Sequence, residues 1–357
     1  MAERLRTGLI GLTGGAKPIL DALRAEPRVQ LVAVGDRDAE TAARHAEALG
    51  AEPYTDYRSL IVEHKLDALF VATPHFATHG HLKLAAGRGT PVWKQSPLAR
   101  QFEEALMLVR TFERSGESGE AVPLVIARAW PAEPALERAG AILAELGRPF
   151  LIEGRVYTCR PEDLDWRGDS ERAGAGVLLH EAYGLIDAVV HWFGPPTEVY
   201  AAARRVSRPL TRYPYDTDDT AVLVFKYTDG AMASFTCCWT SGPPLSQLAI
   251  RATAGTLVIE HDRVCVFDRA GESRCAPIPR AANPYAPHSG IPGRACGRSE
   301  AHGVAGAGPP LDDGGDRNRV PFLTNGRGRV AGEMVQDASR GGDAGRCRGH
   351  LAARTAP

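Results

Sequence analysis

Residues 5–36 read LRTGLIGLTGGAKPILDALRAEPRVQLVAVGD: an apolar run, a glycine turn, a helical run, a second apolar run and an acidic residue. This succession is what a βαβ nucleotide-binding unit requires, since parallel strands need a crossover and the first turn must leave backbone N–H groups open to an anion. Gly11 stands where the first strand must turn, and Gly14 and Gly15 leave their N–H groups uncovered. Pro18 falls in the first helical turn, where its missing donor costs little. From Gly11 to Ala16 the order is G-L-T-G-G-A, so Thr13 holds the middle position of the G-x-G-x-x-G/A fingerprint and alanine the third. Asp36 then follows the second strand, placed for ribose hydroxyls. The expected ligand is a dinucleotide.

The chain has 357 residues, long enough for two domains, each with its own core. Its 44% hydrophobic and 24% charged residues are those of an ordinary globular protein. A formal net charge of −1, without a basic tract, implies neither nucleic acid nor an anionic membrane as partner. No leader-like start and no long uninterrupted apolar window is read, and the seven cysteines include no C-x-x-C pair, so reduced thiols in a cytoplasmic setting are expected, without a structural metal.

Up to about residue 120, short apolar strands near 6–11, 29–34, 68–72 and 91–94 alternate with amphipathic helices. The expected fold is α/β: an N-terminal Rossmann-type domain over 1–120 with a parallel sheet. From 121 to 289 the pattern predicts an α+β domain with a largely antiparallel, open sheet, one hairpin marked by Asp229-Gly230. The last 68 residues, 290–357, hold 15 glycines and 10 arginines but nine Ile, Leu, Val or Phe, too few for a packed core, and are expected to be disordered or out of frame.

Residues 68–99, ALFVATPHFATHGHLKLAAGRGTPVWKQSPLA, with DWRGD, GAGVLLHEAYGLIDAVVHWFG and DTDDTAVLVFKYTDGAMASF further on, resemble the glucose-fructose oxidoreductase / inositol dehydrogenase (Gfo/Idh/MocA) family. Its Thr-Pro is matched by Thr73-Pro74, and its Glu-Lys-Pro by Gln95-Ser96-Pro97, of which only the proline agrees. The resemblance implies hydride transfer between NAD(P) and a sugar, polyol or related hydroxy or keto compound. It also admits a catalytically silent sensor that binds cofactor or sugar. In the family the lysine orients substrate and cofactor, and an aspartate and a His or Tyr four residues later handle the proton. Those positions hold Ser96, His180 and Gly184.

An imidazole accepts a proton near neutral pH without strong perturbation, so His180 is the expected proton-transfer residue, with Tyr183 as a second donor. Lys94 precedes Ser96 by two residues, so it is expected on the same strand face, about 6–7 Å away, as an auxiliary cation. On a continuous helix His180, Gly184, Asp187 and His191 form one stripe, with Asp187 and the loop residue Arg167 facing substrate and His191 read as an ordinary helix-end histidine. The cofactor is expected to touch Gly11, Thr13, Gly14, Gly15, Asp36, Arg37, Thr73, Pro74, His75, Gln95 and Pro97. Asp36 favours NAD(H), while Arg37 beside it could attract the 2′-phosphate of NADP(H). His75, His79 and His81 lack the partners of a metal set. A homo-oligomer is expected through the open sheet, with Val222, Phe225 and Phe235 spread over both of its faces.

Overall fold

The computed structural model describes residues 4–116, 120–127, 133–159, 164–206, 215–260 and 263–277; the stretch expected to be atypical, 290–357, lies outside them. Strands β1 (Leu5–Ile10), β2 (Val29–Gly35), β3 (Glu52–Tyr54), β4 (Ala68–Val71), β5 (Val92–Gln95) and β6 (Leu124–Ala127) pair in parallel in the order β3-β2-β1-β4-β5-β6. The order reverses between β1 and β4, which opens a crevice at the strands' carboxyl ends. β3 is too short to announce itself by periodicity. β6 joins this first sheet although it falls beyond residue 120.

Helices α1 (Lys17–Ala25), α2 (Ala39–Leu49), α3 (Tyr57–Glu63), α4 (His79–Gly87) and α5 (Phe102–Glu113) connect these strands. Successive strand residues point to opposite faces, so Leu9 and Phe70 join one core with Ile19 and Leu23, while Ile10 and Leu69 join another with Leu60, Leu82 and Leu108. Both faces are therefore covered, as a parallel sheet requires.

The second sheet has the order β14-β13-β12-β11-β7-β10-β9-β8, built from β7 (Pro149–Cys159), β8 (Glu198–Arg204), β9 (Thr220–Lys226), β10 (Met232–Cys238), β11 (Thr240–Ala252), β12 (Gly255–Glu260), β13 (Arg263–Asp268) and β14 (Ser273–Pro277). It is antiparallel except where β7 runs parallel to β10. Gly230, at φ +86°, turns β9 into β10 where the Asp-Gly pair predicts it. One face packs on α6 (Glu133–Glu145) and α8 (Tyr183–Phe193), which follows the short α7 (Ser170–Ala173); a Cβ on Gly154 would lie 2.4 Å from the Phe235 ring, so this strand must be bare for the aromatic to seat. Residues Ser170–Phe193 are long and apolar enough by composition to cross a membrane, yet half of that window is buried inside the fold as core.

Strand alternation spreads these residues over both faces: Phe225 and Phe235 point inward and are buried, while Val222, Tyr200 and Met232 stay exposed on the outer face. One expectation needs correction. Cys265 and Cys275, expected as reduced thiols, are joined in a disulfide, since the antiparallel register of β13 and β14 sets them directly opposite. Among the described residues Cys237 and Cys238 are free thiols. Burial pushes the Cys237 thiol up to about 12.

Candidate functional site at the crevice

The glycine turn lies at the crevice. Gly11 has φ +84°, and a Cβ there would stand 2.8 Å from Thr73, so the ends of β1 and β4 touch through bare backbone. Thr13, Gly14 and Gly15 are exposed, and nothing lies within 4 Å of a Cβ built on Gly14. A Cβ on Gly15 would meet the Gln95 amide at 2.7 Å, which places Gln95 over the turn. Asp36 is 7% exposed; its carboxylate accepts from the Leu12 N–H at 2.9 Å and the Asp38 N–H at 3.1 Å, tying the end of β2 to the glycine turn, while Arg37 is exposed beside it. The hydroxyls of Thr73 and Ser96, at the carboxyl ends of β4 and β5, are buried without a hydrogen-bond partner. An open glycine turn, an anchored acidic residue and two orphaned hydroxyls fit a dinucleotide, and Pro74 and Pro97 bound the same crevice, the Ser96–Pro97 peptide being cis.

Lys94 is 2% exposed. Its ammonium donates to the Gln95 carbonyl at 2.5 Å and the Pro97 carbonyl at 3.2 Å, so it grips the backbone on either side of Ser96 from within. It does not project into open space at the displaced lysine position but is buried against the two carbonyls it holds. Burial pushes its ammonium down to about 7.

Opposite stand the rings. His75 begins a 3-10 turn (His75–Ala77) after Thr73-Pro74. Its Nε2 lies 2.9 Å from the Ala173 carbonyl, which can only accept, so that nitrogen carries the proton and Nδ1 is the acceptor. Burial, with a smaller push from Lys94, lowers His75 to about 4, so the ring is neutral at pH 7. The His180 ring stacks on His75 at 5.6 Å and on the buried Trp239 at 6.3 Å, and Trp166 meets both histidines edge-on, at 5.1 and 5.2 Å. Arg167 lies over the Trp166 ring at 4.6 Å, on a 3-10 turn over Asp165–Gly168.

The helix carrying His180 departs from the expected stripe. Residues Leu178–Ala182 form a π turn, after which α8 runs to Phe193. The wider turn breaks the i, i+4 phase between His180 and Gly184, so His180, Gly184, Asp187 and His191 do not lie on one continuous α-helical face. Tyr183 opens α8; burial raises its phenol, and the Asp187 charge adds to this, so it stays protonated. His79 faces Glu104 at 3.5 Å and His81 sets its ring against Tyr57, which leaves only His75 of that trio in the crevice.

A short acidic run braces this wall. Asp216 accepts from the Ser170 N–H at 2.7 Å and hydroxyl at 2.8 Å, Thr217 donates to the Arg167 carbonyl at 2.9 Å, and Asp218 accepts from the Gly176 N–H at 2.6 Å. Asp219 is fully buried and accepts from the Tyr215 hydroxyl at 2.5 Å and the Thr220 hydroxyl at 2.7 Å. The roles of Asp218 and Trp239 escape a reading of the sequence; the acidic run around residue 218 was the available signal, and nothing marks Trp239.

Two family models match the chain: one described as an oxidoreductase family with an NAD-binding Rossmann fold over residues 5–118, the other as the GFO/IDH/MocA C-terminal domain over 138–258. A D-xylose 1-dehydrogenase (NADP(+)) of Haloferax volcanii is 28% identical over 54% of this chain and 59% of its own length. An inositol 2-dehydrogenase of Saccharopolyspora erythraea is 35% identical over 65% of this chain and 66% of its own. The chain thus spans about 60% of the length of several curated relatives it matches, 59% and 62% in two of them. A levoglucosan dehydrogenase solved with NADH and levoglucosan superposes with TM-score 0.70 at 23% identity, covering 77% of this chain and 80% of that one. An NAD-binding oxidoreductase from Klebsiella pneumoniae superposes with TM-score 0.67 at 24% identity, covering 77% and 79%.

Proposed function

Because the chain belongs to the Gfo/Idh/MocA oxidoreductase family, we propose that it is an active NAD(P)-dependent dehydrogenase or reductase that moves a hydride to or from a sugar, polyol or related small hydroxy or keto compound. The observation that carries this reading is the meeting of His75, His180 and Lys94 where the glycine-turn domain faces the second domain. The nicotinamide, when bound, supplies the hydride acceptor or donor.

Gly11, Thr13, Gly14 and Gly15 hold the pyrophosphate, Asp36 the adenosine ribose, and Thr73, Pro74, His75, Gln95 and Pro97 border the nicotinamide. NAD(H) is the preferred cofactor through Asp36, with Arg37 leaving NADP(H) usable. His180 takes the proton of the substrate hydroxyl in oxidation and returns it in reduction, with neighbouring rings that exclude water. Lys94 acts as the auxiliary cation through the Gln95 and Pro97 carbonyls it holds, and an ammonium lowered to about 7 exchanges its proton at neutral pH. Tyr183, protonated beside Asp187, is the reserve donor, and Arg167 with Asp187 reads substrate polar groups. The protein is a homo-oligomer assembled through the outer face of the second sheet, where Tyr200, Val222 and Met232 are exposed; a cytoplasmic setting has the Cys265–Cys275 disulfide against it.

The test is an absorbance scan of D-xylose, myo-inositol, levoglucosan and sugar acids with each nicotinamide cofactor. Turnover on any of them is expected. Tight NAD(H) binding with no turnover would favour the silent sensor, a reading to which the altered Ser96, His180 and Gly184 lend weight.

A further inference from the structure

The run Asp216–Asp218 makes no ring contact with the site, yet it holds the backbone of the segments that build the site's far wall. Asp218 reaches furthest. Its main-chain carbonyl accepts from the Val177 N–H at 2.9 Å and its carboxylate from the Gly176 N–H at 2.6 Å, so one residue closes on both the first N–H groups of the helical segment that carries His180. A Cβ on Gly176 would stand 1.8 Å from the Asp218 carbonyl oxygen, so the two backbones are in direct contact and neither can shift alone. Within the same turn the His180 N–H donates to the Gly176 carbonyl at 3.1 Å. The second carboxylate oxygen is buried without a hydrogen-bond partner.

We propose that Asp218 is a positioning residue for His180: by capping the π turn from another strand connection it fixes where that turn lies, and its carboxylate favours the charged form of the imidazole one turn away. The chemistry agrees with the geometry. A helical N-terminus presents uncompensated N–H groups and a partial positive charge, and an anion set there both satisfies those donors and offsets the field felt by the next side chains. Burial raises the Asp218 carboxyl and outweighs the backbone N–H groups of Gly176, Val177 and Leu178, which pull the other way. Glu181 faces from the same helix, His75 with Lys94 behind it from the first domain, Arg167 from the Asp165–Gly168 turn and the Cys237 thiol from β10; of these His75 and Cys237 are neutral at pH 7. The proposal rests on His180 being the proton-transfer residue, so its test reads the imidazole itself and not turnover alone.

The protein is labelled with 13C at histidine Cε1, saturated with NADH, and titrated by NMR, the His180 signal being assigned from His180→Gln. Asp218→Ala is expected to move that signal and to lower its pH midpoint by about half a unit or more, with NADH affinity by fluorescence unchanged. Asp218→Asn, which keeps the accepting oxygen and the volume, is expected to restore the signal's position but not the midpoint. An unchanged signal and midpoint in a folded Asp218→Ala overturns the proposal. If Asp218→Ala does not fold, Asp218→Asn decides: a wild-type midpoint there overturns it. Should His180→Ala keep full turnover while Asp218→Ala still moves the His180 signal, the proton-transfer role is lost and the positioning contact stands.

Discussion

Replacing Lys94 by methionine should make the protein more stable at pH 6 and less stable at pH 10. The ammonium is 2% exposed and is pushed from its ordinary 10.5 to about 7 by burial. At about 1.4 kcal/mol per pKa unit, its charged form is disfavoured by the order of 5 kcal/mol, an upper figure because water penetration relaxes such sites. Methionine keeps most of the volume but removes the donor that serves the Gln95 and Pro97 carbonyls, a loss of about 1–3 kcal/mol. The balance below pH 7 is therefore a gain of up to about 2–4 kcal/mol. The sign with pH follows from proton uptake. Between pH 7 and 10.5 the unfolded chain binds a proton the folded one lacks, so wild-type stability rises across that window by up to about 1.4 kcal/mol per unit, and below pH 7 it is flat. The variant lacks that rise, so the two curves cross. Urea unfolding followed by tryptophan fluorescence from pH 6 to 10 measures both, and the difference cancels other titrating groups. Parallel curves would refute the burial argument. A group retained at such a cost is the kind found at functional sites.

His180→Ala should lower turnover by about 10²–10⁴-fold with NADH affinity nearly unchanged; near-normal turnover would move the proton to Tyr183 or to water. Asp36→Ala should weaken NADH and improve NADPH relative to it, measured by fluorescence titration, unless the carboxylate serves only the Leu12 and Asp38 N–H groups, in which case both cofactors weaken alike. Changing Cys265 and Cys275 to serine should cost about 2–3 kcal/mol by loop entropy over their separation of 10 residues, and a reductant should reproduce the loss in the parent protein by thermal melting. Val222→Arg, on the exposed face of β9, should shift light scattering toward the monomer, while an unchanged mass would exclude that face as the contact.

The first domain was legible because its signals are local. Gly11, the alternation of short apolar strands with helices, and Asp36 each act within a few residues of chain. The same holds for Gly230 between β9 and β10. The site was only half legible. Which residues stand near position 180 follows from the resemblance, but their geometry depends on long-range contacts: the π turn is capped by Asp218, 42 residues on, and His75 reaches Ala173 across 98. Lys94 read as a free cation because its enclosure comes from neighbouring strands. The disulfide is not legible in the sequence because pairing of Cys265 with Cys275 depends on strand register, which the cysteine count does not contain.

The π turn at Leu178–Ala182 has a consequence for anyone who compares this chain with others. Such a turn holds one residue more than the α turn it replaces, so it acts as slack in an otherwise rigid ruler. Leu185, Ala188 and Val189 keep their places against the second sheet while His180 turns to the crevice. Against a relative whose helix is α throughout, an alignment anchored on Gly174–Gly176 and one anchored on Asp187 part company by one position. Equivalence of side chains here has to be settled in space, ring by ring, and deleting one residue between 178 and 182 would force the helix to give up either its buried face or its histidine.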